Sequence, residues 1–470
     1  MADAVSGVMS RDRWLFLLAG LAAAGAVYLG SPVEFALFAL TLAGVALFHD
    51  QTLYVALTGL AVVALYKLVC TGFVTGPGLG GLVLHFGHEW VILANLFGLL
   101  MGFAVLCKHF EASSIPAILP KYLPGDWKGG FVLLLLVFVM SAFLDNIAAA
   151  LIGGTVAAVV FRGKVHIGYL AGIVAAANAG GAGSVVGDTT TTMMWIGGVS
   201  PLSVLHAYVA AGVALIVCAI PASLQQHKYS PIVQDAPPGV RVDWARVAIV
   251  IIILVAAIAA NVIANLAFPA LLDHFPLIGA AVWTAILLTA WLRTPAWSVL
   301  PETFKGTIFL LSLVSIASMM PVEALPPASW VVSLSLGFIS AVFDNIPLTA
   351  LALKQGGYDW GMLAYCVGVG GSMTWFGSSA GVALANAFPE AKSVARWVSH
   401  GWHVTVAYVV GFFVLLAVMG WEPGPKRTST SVAPQSMEAA AELSRQAIHW
   451  SLRTPLAHAS YTPAANDSGS

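Results

Sequence analysis

The chain is a succession of apolar runs separated by short polar connections, and most runs are long enough to cross a bilayer, which takes about 20 mostly apolar helical residues. Runs at 14–30, 33–48, 52–70 and 89–107 predict four membrane helices. A polar-punctuated stretch at 108–128 follows, then apolar sequence over 129–160 with Asp145 and Asn146 near its centre. Further runs at 168–197, 200–222, 244–268, 278–295 and 305–320 lead to 329–354, which carries Asp344 and Asn345 centrally. Runs at 361–387 and 401–420 complete the series, and those at 168–197 and 361–387 are broken by glycines.

Two of these elements occur twice. Ser141-Ala-Phe-Leu-Asp145-Asn146-Ile147 returns as Ser340-Ala-Val-Phe-Asp344-Asn345-Ile346. Each is followed by Gly-Gly-x5-Gly, first as Gly180, Gly181 and Gly187, then as Gly370, Gly371 and Gly377. An ionisable pair inside apolar sequence marks an ion or substrate pathway. Its doubling marks a transporter built from structural repeats. Neither flank of either Asp-Asn pair spans a bilayer alone. Each segment therefore reads as a re-entrant hairpin with the pair at its tip, or as a continuous helix with the pair at mid-membrane. Irregular backbone at that depth is tolerated only where it is buried or lines a cavity.

Charge separates the two topologies. With hairpins at 129–160 and 329–354, 14 of the 16 Lys and Arg residues outside the tail fall on the side of the N-terminus, leaving Lys67 and Lys354 opposite (the tail holds Lys426, Arg427, Arg445 and Arg453). That is the positive-inside bias of a cytoplasmic N-terminus. Continuous crossings would move Arg162, Lys164, Lys228, Arg241, Arg246, Arg293 and Lys305 outside. The expected fold is an all-α polytopic membrane protein of two inverted-topology repeats. It has about 11 transmembrane helices, two re-entrant hairpins and two broken helices. Its parts are a cytoplasmic N-terminus at 1–13, a first half at 14–222, a linker at 223–243, a second half at 244–421 and a tail at 422–470. The tail is rich in Ser, Thr, Pro and Ala and reads as largely disordered, with room for a short helix over Met437–Trp450.

Composition agrees. The chain is 59% hydrophobic and 9% charged, with mean hydropathy +0.90, against roughly 25% charged in soluble domains. A net charge of −1 offers no basic surface for nucleic acid. Arg11 and Arg13 precede a first helix read as retained rather than cleaved. Cys70, Cys107, Cys218 and Cys366 show no metal or redox spacing and read as small core hydrophobes.

Three acidic residues sit well inside the membrane: Asp145, Asp188 and Asp344. Desolvation favours the protonated form of a lone buried carboxyl. Carboxylates that share a cation must shed protons to take it. With no ATP motif in the chain, that coupling is cation/proton exchange by a transporter, with no enzyme activity and no cofactor. Glycine-broken helices free carbonyls and half-helix ends for a hard cation. Asn146, Asn345, Thr189 and Ser378 are candidate neutral ligands. Ser141, Ser340, Thr190 and the six motif glycines are candidate supports. Ser378 stands where the first repeat has Asp188, so the site is not charge-symmetric. Plainer roles compete: Asp-Asn and Asp188 as helix caps, Thr190 and Thr191 as partners of backbone carbonyls, and the glycines as packing residues. Glu111 and Glu323 read as solvated boundary residues. His166, His206 and His403 lack ligand spacing, and His166 is a candidate pH-sensing residue.

The stretch Asn178-Ala-Gly-Gly-Ala-Gly-Ser-Val-Val-Gly-Asp188-Thr-Thr-Thr-Thr-Met-Met-Trp195, with Ser-Ala-Phe-Leu-Asp145-Asn146, Asp344-Asn-Ile-Pro-Leu and Gly370-Gly-Ser through Gly377-Ser-Ser-Ala-Gly-Val, resembles the signature of the NhaD-type sodium/proton antiporters of the ion transporter superfamily. The likeness covers roughly residues 20 to 420. It implies inverted repeats, each with a hairpin and a broken helix, often in a homodimer with scaffold and transport domains. It also implies sodium or lithium exchanged for protons across the inner or plasma membrane, with Asp145, Asp188 and Asp344 as the sodium-binding, proton-exchanging carboxylates. The partners are then membrane lipid and the sodium ion. The alternative within the superfamily is a symporter or permease for a small anion or oxyanion, such as citrate, a dicarboxylate or arsenite. Those carboxylate carriers place Ser-Asn-Thr at the tips. Aspartate there would repel an anion.

Overall fold

The computed structural model describes residues 11–48, 51–185, 187–232, 240–267, 271 and 274–424. The tail from 425, and with it the expected Met437–Trp450 helix, lies outside the described residues. Among those residues the chain is helical, with one isolated β-bridge between Phe73 and Gly76. In lipid a helix satisfies its own backbone polar groups, which an open strand cannot.

Two sets of helices pack separately. The first joins α1 (Arg11–Tyr28), α2 (Val33–Leu47), α3 (Thr52–Tyr66, extended by a π turn Lys67–Thr71) and α4 (Gly78–Ala112) to three later helices. These are α10 (Trp244–Ala267), α11 (Leu277–Thr289) and α12 (Leu300–Ser318). The second set contains α5 (Trp127–Ser141), α6 (Asn146–Val160), α7 (Ile167–Ala182), α8 (Thr189–Ile196) and α9 (Ala207–Tyr229). It also contains α13 (Trp330–Ser340), α14 (Asn345–Gln355), α15 (Trp360–Gly370), α16 (Ser379–Ala387), α17 (Val394–His400) and α18 (Trp402–Met419). Its centre is α7 and α15, every residue of which is buried. Helix α14 also packs on α12 and so ties the sets together. Glycines at positive φ stop α14 (Gly356, +69°) and α18 (Gly420, +76°), the usual exit from a helix.

Among the described residues, five helical segments are long and apolar enough to cross a membrane: Thr52–Thr71, Gly78–Ala112, Leu202–Tyr229, Trp297–Ser318 and Trp402–Met419. Large apolar side chains such as Leu21, Leu65, Ile216, Val255 and Leu287 face outward. A water-soluble protein rarely exposes apolar surface on this scale. The chain is an integral, multi-helix membrane protein.

Several boundaries differ from the expectation. The helix expected at 89–107 is the 35-residue α4. Its first third holds Gly78, Gly80, Gly81, Gly87 and two histidines, which reads as a loop in sequence. His85 is in fact buried, its Nε2 3.0 Å from Ser318 Oγ. Helix α9 continues past the expected end at 222 to Tyr229, because Gln226 is buried and held by Lys164 O, Ser230 O and the His166 amide. Cys70, expected in the core, is exposed; Cys218 and Cys366 are buried. The two basic residues expected opposite the positive side are both engaged. Lys67 lies 3.7 Å from Glu34, and both are buried. Lys354 Nζ donates to Ser318 O at 2.8 Å and to Met320 O, where cations complement a helix C-terminus.

At the start of α10, Asp243 gathers three elements. Oδ1 accepts from the Ala245 and Arg246 amides, Oδ2 accepts from Arg293 Nε at 2.8 Å, and its own amide donates to Ser113 O. The Arg293 hydrogen bond holds the Asp243 carboxyl below the ordinary carboxylate range. A depressed pKa stabilises the fold above the unfolded value, about 4, and that contribution is lost as pH falls through the lower folded value. Asp243→Asn should therefore lower the melting temperature of the detergent-solubilised protein at pH 7. The gap to the parent should close as pH drops below about 4; a gap independent of pH would contradict the assignment.

Candidate functional site

The site forms where four helices are interrupted. The chain breaks between α5 and α6 at 142–145 and between α13 and α14 at 341–344. The broken helices are α7 with α8, and α15 with α16. Gly153 lies so close to Val137 that a Cβ there would be 2.5 Å from Val137 Cγ2. Helix α6 therefore folds back along α5.

Hydroxyls seal the breaks, and they do so in matched positions. Ser141 Oγ donates to Ala177 O at 2.5 Å and Ser340 Oγ to Val367 O at 2.7 Å. Ser184 Oγ donates to Ala142 O at 2.6 Å, and Thr374 Oγ1 to Ala341 O. Each bond satisfies a buried carbonyl beside irregular backbone. The motif glycines let backbones touch. A Cβ on Gly180 would lie 2.1 Å from Phe138 O, and one on Gly370 2.3 Å from Gly337 O. Gly187 and Gly377 press on the Ser141 and Ser340 carbonyls, and Gly181 and Gly371 on the Gly187 and Gly377 carbonyls. Thr191 and Thr192 donate to backbone carbonyls, Asp188 O among them. The Thr190 hydroxyl, expected to do the same, reaches no backbone carbonyl and lies beside the Asp188 carboxylate instead.

The carboxylates sit at helix N-termini. Asp145 and Asp344 occupy the N-cap positions of α6 and α14 with nearly equal backbone angles (φ −51°, ψ 142° and φ −55°, ψ 141°), yet neither side chain makes a capping hydrogen bond. Asp145 Oδ1 instead lies 3.4 Å from Thr189 Oγ1, and Asp344 Oδ2 accepts from Ser379 Oγ at 3.2 Å. Asp188 does cap: Oδ1 accepts from the Thr190 amide at 3.1 Å. Ser378, its counterpart, accepts from the Gly381 amide. Capping uses only half of Asp188. Its Oδ2, with Asp344 Oδ1 and Asn345 Nδ2, is buried without a hydrogen-bond partner.

Asn178 is a site residue that the sequence reading passed over. It is fully buried on α7 and joins both halves. Asn146 Nδ2 donates to its Oδ1 at 2.9 Å, and its Nδ2 donates to Ser372 Oγ at 2.9 Å and Ser378 Oγ at 3.1 Å. The signal was a carboxamide in an otherwise apolar helix, two residues before Gly180.

A cavity of about 580 Å³ lies between the two helix sets. Asp145, Asp344 and Ser379 are in its wall, facing Cys107 on α4 and Thr303 and Thr307 on α12, and Lys108, Glu111 and Glu302 also line it. Glu111, expected as a solvated boundary residue, is partly exposed and pairs with Lys108 at 2.6 Å. Asp188 is 1% exposed and is not in the lining. Among the described residues no three His, Cys, Asp or Glu side chains come close enough to hold one metal ion together. Helix directions put Asp145 and Asp344 at the cavity and Asp188 behind them. The expected histidines serve local roles, with His166 capping α7, His206 Nε2 2.7 Å from Asp359 Oδ1 and His403 Nδ1 3.2 Å from Cys218 Sγ.

The chain is similar to two proteins of Arabidopsis thaliana. It is 25% identical to sodium/proton antiporter 1 over 405 residues, covering 74% of this chain and 66% of that protein. It is 27% identical to sodium/proton antiporter 2 over 301 residues, covering 54% of this chain and 68% of that protein. The chain thus spans about two thirds of the length of each relative. No protein-family profile matches it.

The glycine contacts have a direct test. Gly180→Ala would force a methyl against Phe138 O and should destabilise the protein by about 1–3 kcal/mol, the usual cost of overpacking. Gly87→Ala, with nothing within 4 Å of the new methyl, should cost nothing. Thermal unfolding in detergent distinguishes them, and equal melting temperatures would contradict the packing role.

Proposed function

We propose that this protein is a secondary transporter that exchanges sodium or lithium ions for protons by alternating access. One observation carries the reading: three carboxylates stand at helix breaks, Asp188 buried and Asp145 and Asp344 half-buried on a cavity wall, and Asp188 and Asp344 each keep a buried oxygen without a hydrogen-bond partner. Buried oxygens of this kind are costly unless a proton or a cation completes them. The likeness to two proteins named sodium/proton antiporters supports sodium as the cation.

In this reading Asp145, Asp188 and Asp344 hold protons in one state and face the cation in the other. Asn146, Asn345, Thr189 and Ser378 supply neutral groups. The N-terminal dipoles of α6, α8 and α14 stabilise each carboxylate when it is charged. The two halves are inverted repeats whose hairpins enter from opposite faces, and about 11 helices cross an inner or plasma membrane, in a homodimer. The positive-inside rule places Lys108, Glu111 and Glu302 inside, so the cavity opens inward. Lys354 against the carbonyls at the end of α12, and Lys67 with Glu34, close the opposite side.

In everted membrane vesicles carrying a preformed pH gradient, added sodium or lithium should collapse the gradient. Asp145→Asn and Asp188→Asn should each reduce the response more than about tenfold, a loss of one strong interaction. A parent protein that leaves the gradient intact, or variants that respond like the parent, would overturn the reading.

A further inference from the structure

The hydroxyl contacts that seal the breaks repeat between the two halves, but the surroundings of Asn178 do not. In the first half the Asn178 side chain is ringed by three partners: Asn146, Ser372 and Ser378. The residue in the place of Asn178 in the second half is Gly368, two residues before Gly370 as Asn178 is two before Gly180. Two of the three partners have polar counterparts. Asn345 stands where Asn146 does, Ala182 where Ser372 does and Asp188 where Ser378 does. A Cβ on Gly368 would face two of them, 3.4 Å from Asp188 Oδ2 and 3.9 Å from Ala182 Cβ, with Asn178 O at 3.7 Å. The second half keeps two polar members of the ring, Asn345 and Asp188, has an alanine for the third and lacks the carboxamide at its centre.

By the repeat, a carboxamide there would reach Asp188 and Asn345, and both carry unpaired atoms. Asp188 Oδ2 and Asn345 Nδ2 have no hydrogen-bond partner, and their residues are 1% and 2% exposed. Packing does not explain the glycine. Gly180 and Gly370 meet backbone atoms at 2.1 and 2.3 Å, whereas nothing lies within 3.4 Å of a Cβ at Gly368. Helix propensity argues against it as well, since glycine is the poorest helix former apart from proline and Gly368 lies inside α15.

We infer that Gly368 creates the cation-binding position of this protein: a small monovalent cation occupies, in the second half, the place that the Asn178 side chain fills in the first. Asp188 Oδ2 is its charged ligand. The carbonyl oxygen of Asn178 and the side-chain oxygen of Asn345 are neutral ligands. No hydrogen bond from the Asn345 nitrogen holds that amide, so it is free to turn its oxygen inward. One carboxylate with neutral oxygens balances a single positive charge and leaves a divalent ion uncompensated in a buried setting. Charge asymmetry follows from the same exchange: Ser378 suffices beside Asn178, whereas a cation beside Gly368 requires Asp188. The inference rests on the cation-exchange reading and names where in that machinery the ion is held.

Binding of radiolabelled sodium to the purified full-length protein tests it, alongside the vesicle assay. Gly368→Ala puts a methyl in contact with Asp188 Oδ2 and should weaken sodium binding at least about tenfold. Gly368→Asn should abolish it by filling the place with a carboxamide. Gly368→Ala suits the helix, so a size-exclusion profile like the parent's is expected, and it decides the matter should Gly368→Asn fail to fold. Parent-like sodium affinity in Gly368→Ala, or a parent protein that binds no sodium, overturns the inference. A parent that binds sodium with the expected Gly368 dependence, yet moves no protons in vesicles, upholds the site and overturns the transport reading instead.

Discussion

Interrupting helices at membrane depth exposes backbone groups that lipid cannot satisfy, and the rest of this structure follows from how those groups are paired. Four hydroxyls, from Ser141, Ser184, Ser340 and Thr374, cap carbonyls beside the breaks. Six carbonyls press on glycines that admit no side chain. The amides at the starts of the following half-helices then face carboxylates or a serine. Each unpaired group in hydrocarbon would cost several kcal/mol. Spacing between hydroxyl, glycine and carboxylate is accordingly tight, and it is the same in both halves. The repeated strings in the sequence are the trace of that requirement.

The two halves share this sealing chemistry and differ in what they do with charge. Asp145 and Asp344 are near equivalents at the cavity wall, each with a hydroxyl beside it. Asp188 and Ser378 are not equivalent, and neither are Asn178 and Gly368. On one side a carboxamide network closes upon itself. On the other a carboxylate oxygen is left over in the core of the protein. A repeated frame thus holds an asymmetric set of polar groups.

Local features were legible in the sequence; features made by distant packing were not. Asp145, Asn146, Asp344 and Asn345 stand out because polar residues inside apolar runs need no tertiary information to be noticed, and the helix breaks at 183–188 and 374–378 follow from glycine content. Asn178 escaped because its partners lie 32, 194 and 200 residues away. The separation of Asp188 from the cavity escaped because it depends on the direction in which α8 leaves the break. The length of α4 was hidden by glycines and by His85, whose burial is decided by Ser318, 233 residues distant. Composition also misplaced Cys70, since an exposed position in a membrane helix is as apolar as a core one.

The central claim is that the buried carboxylates give up protons to the same cation that they receive. It is tested most directly by adding sodium chloride to the purified protein in weakly buffered detergent solution and following pH. The expected result is saturable acidification, close to one proton or more per protein, that choline chloride does not reproduce and that Asp188→Asn loses. Sodium binding without any proton release would contradict the claim.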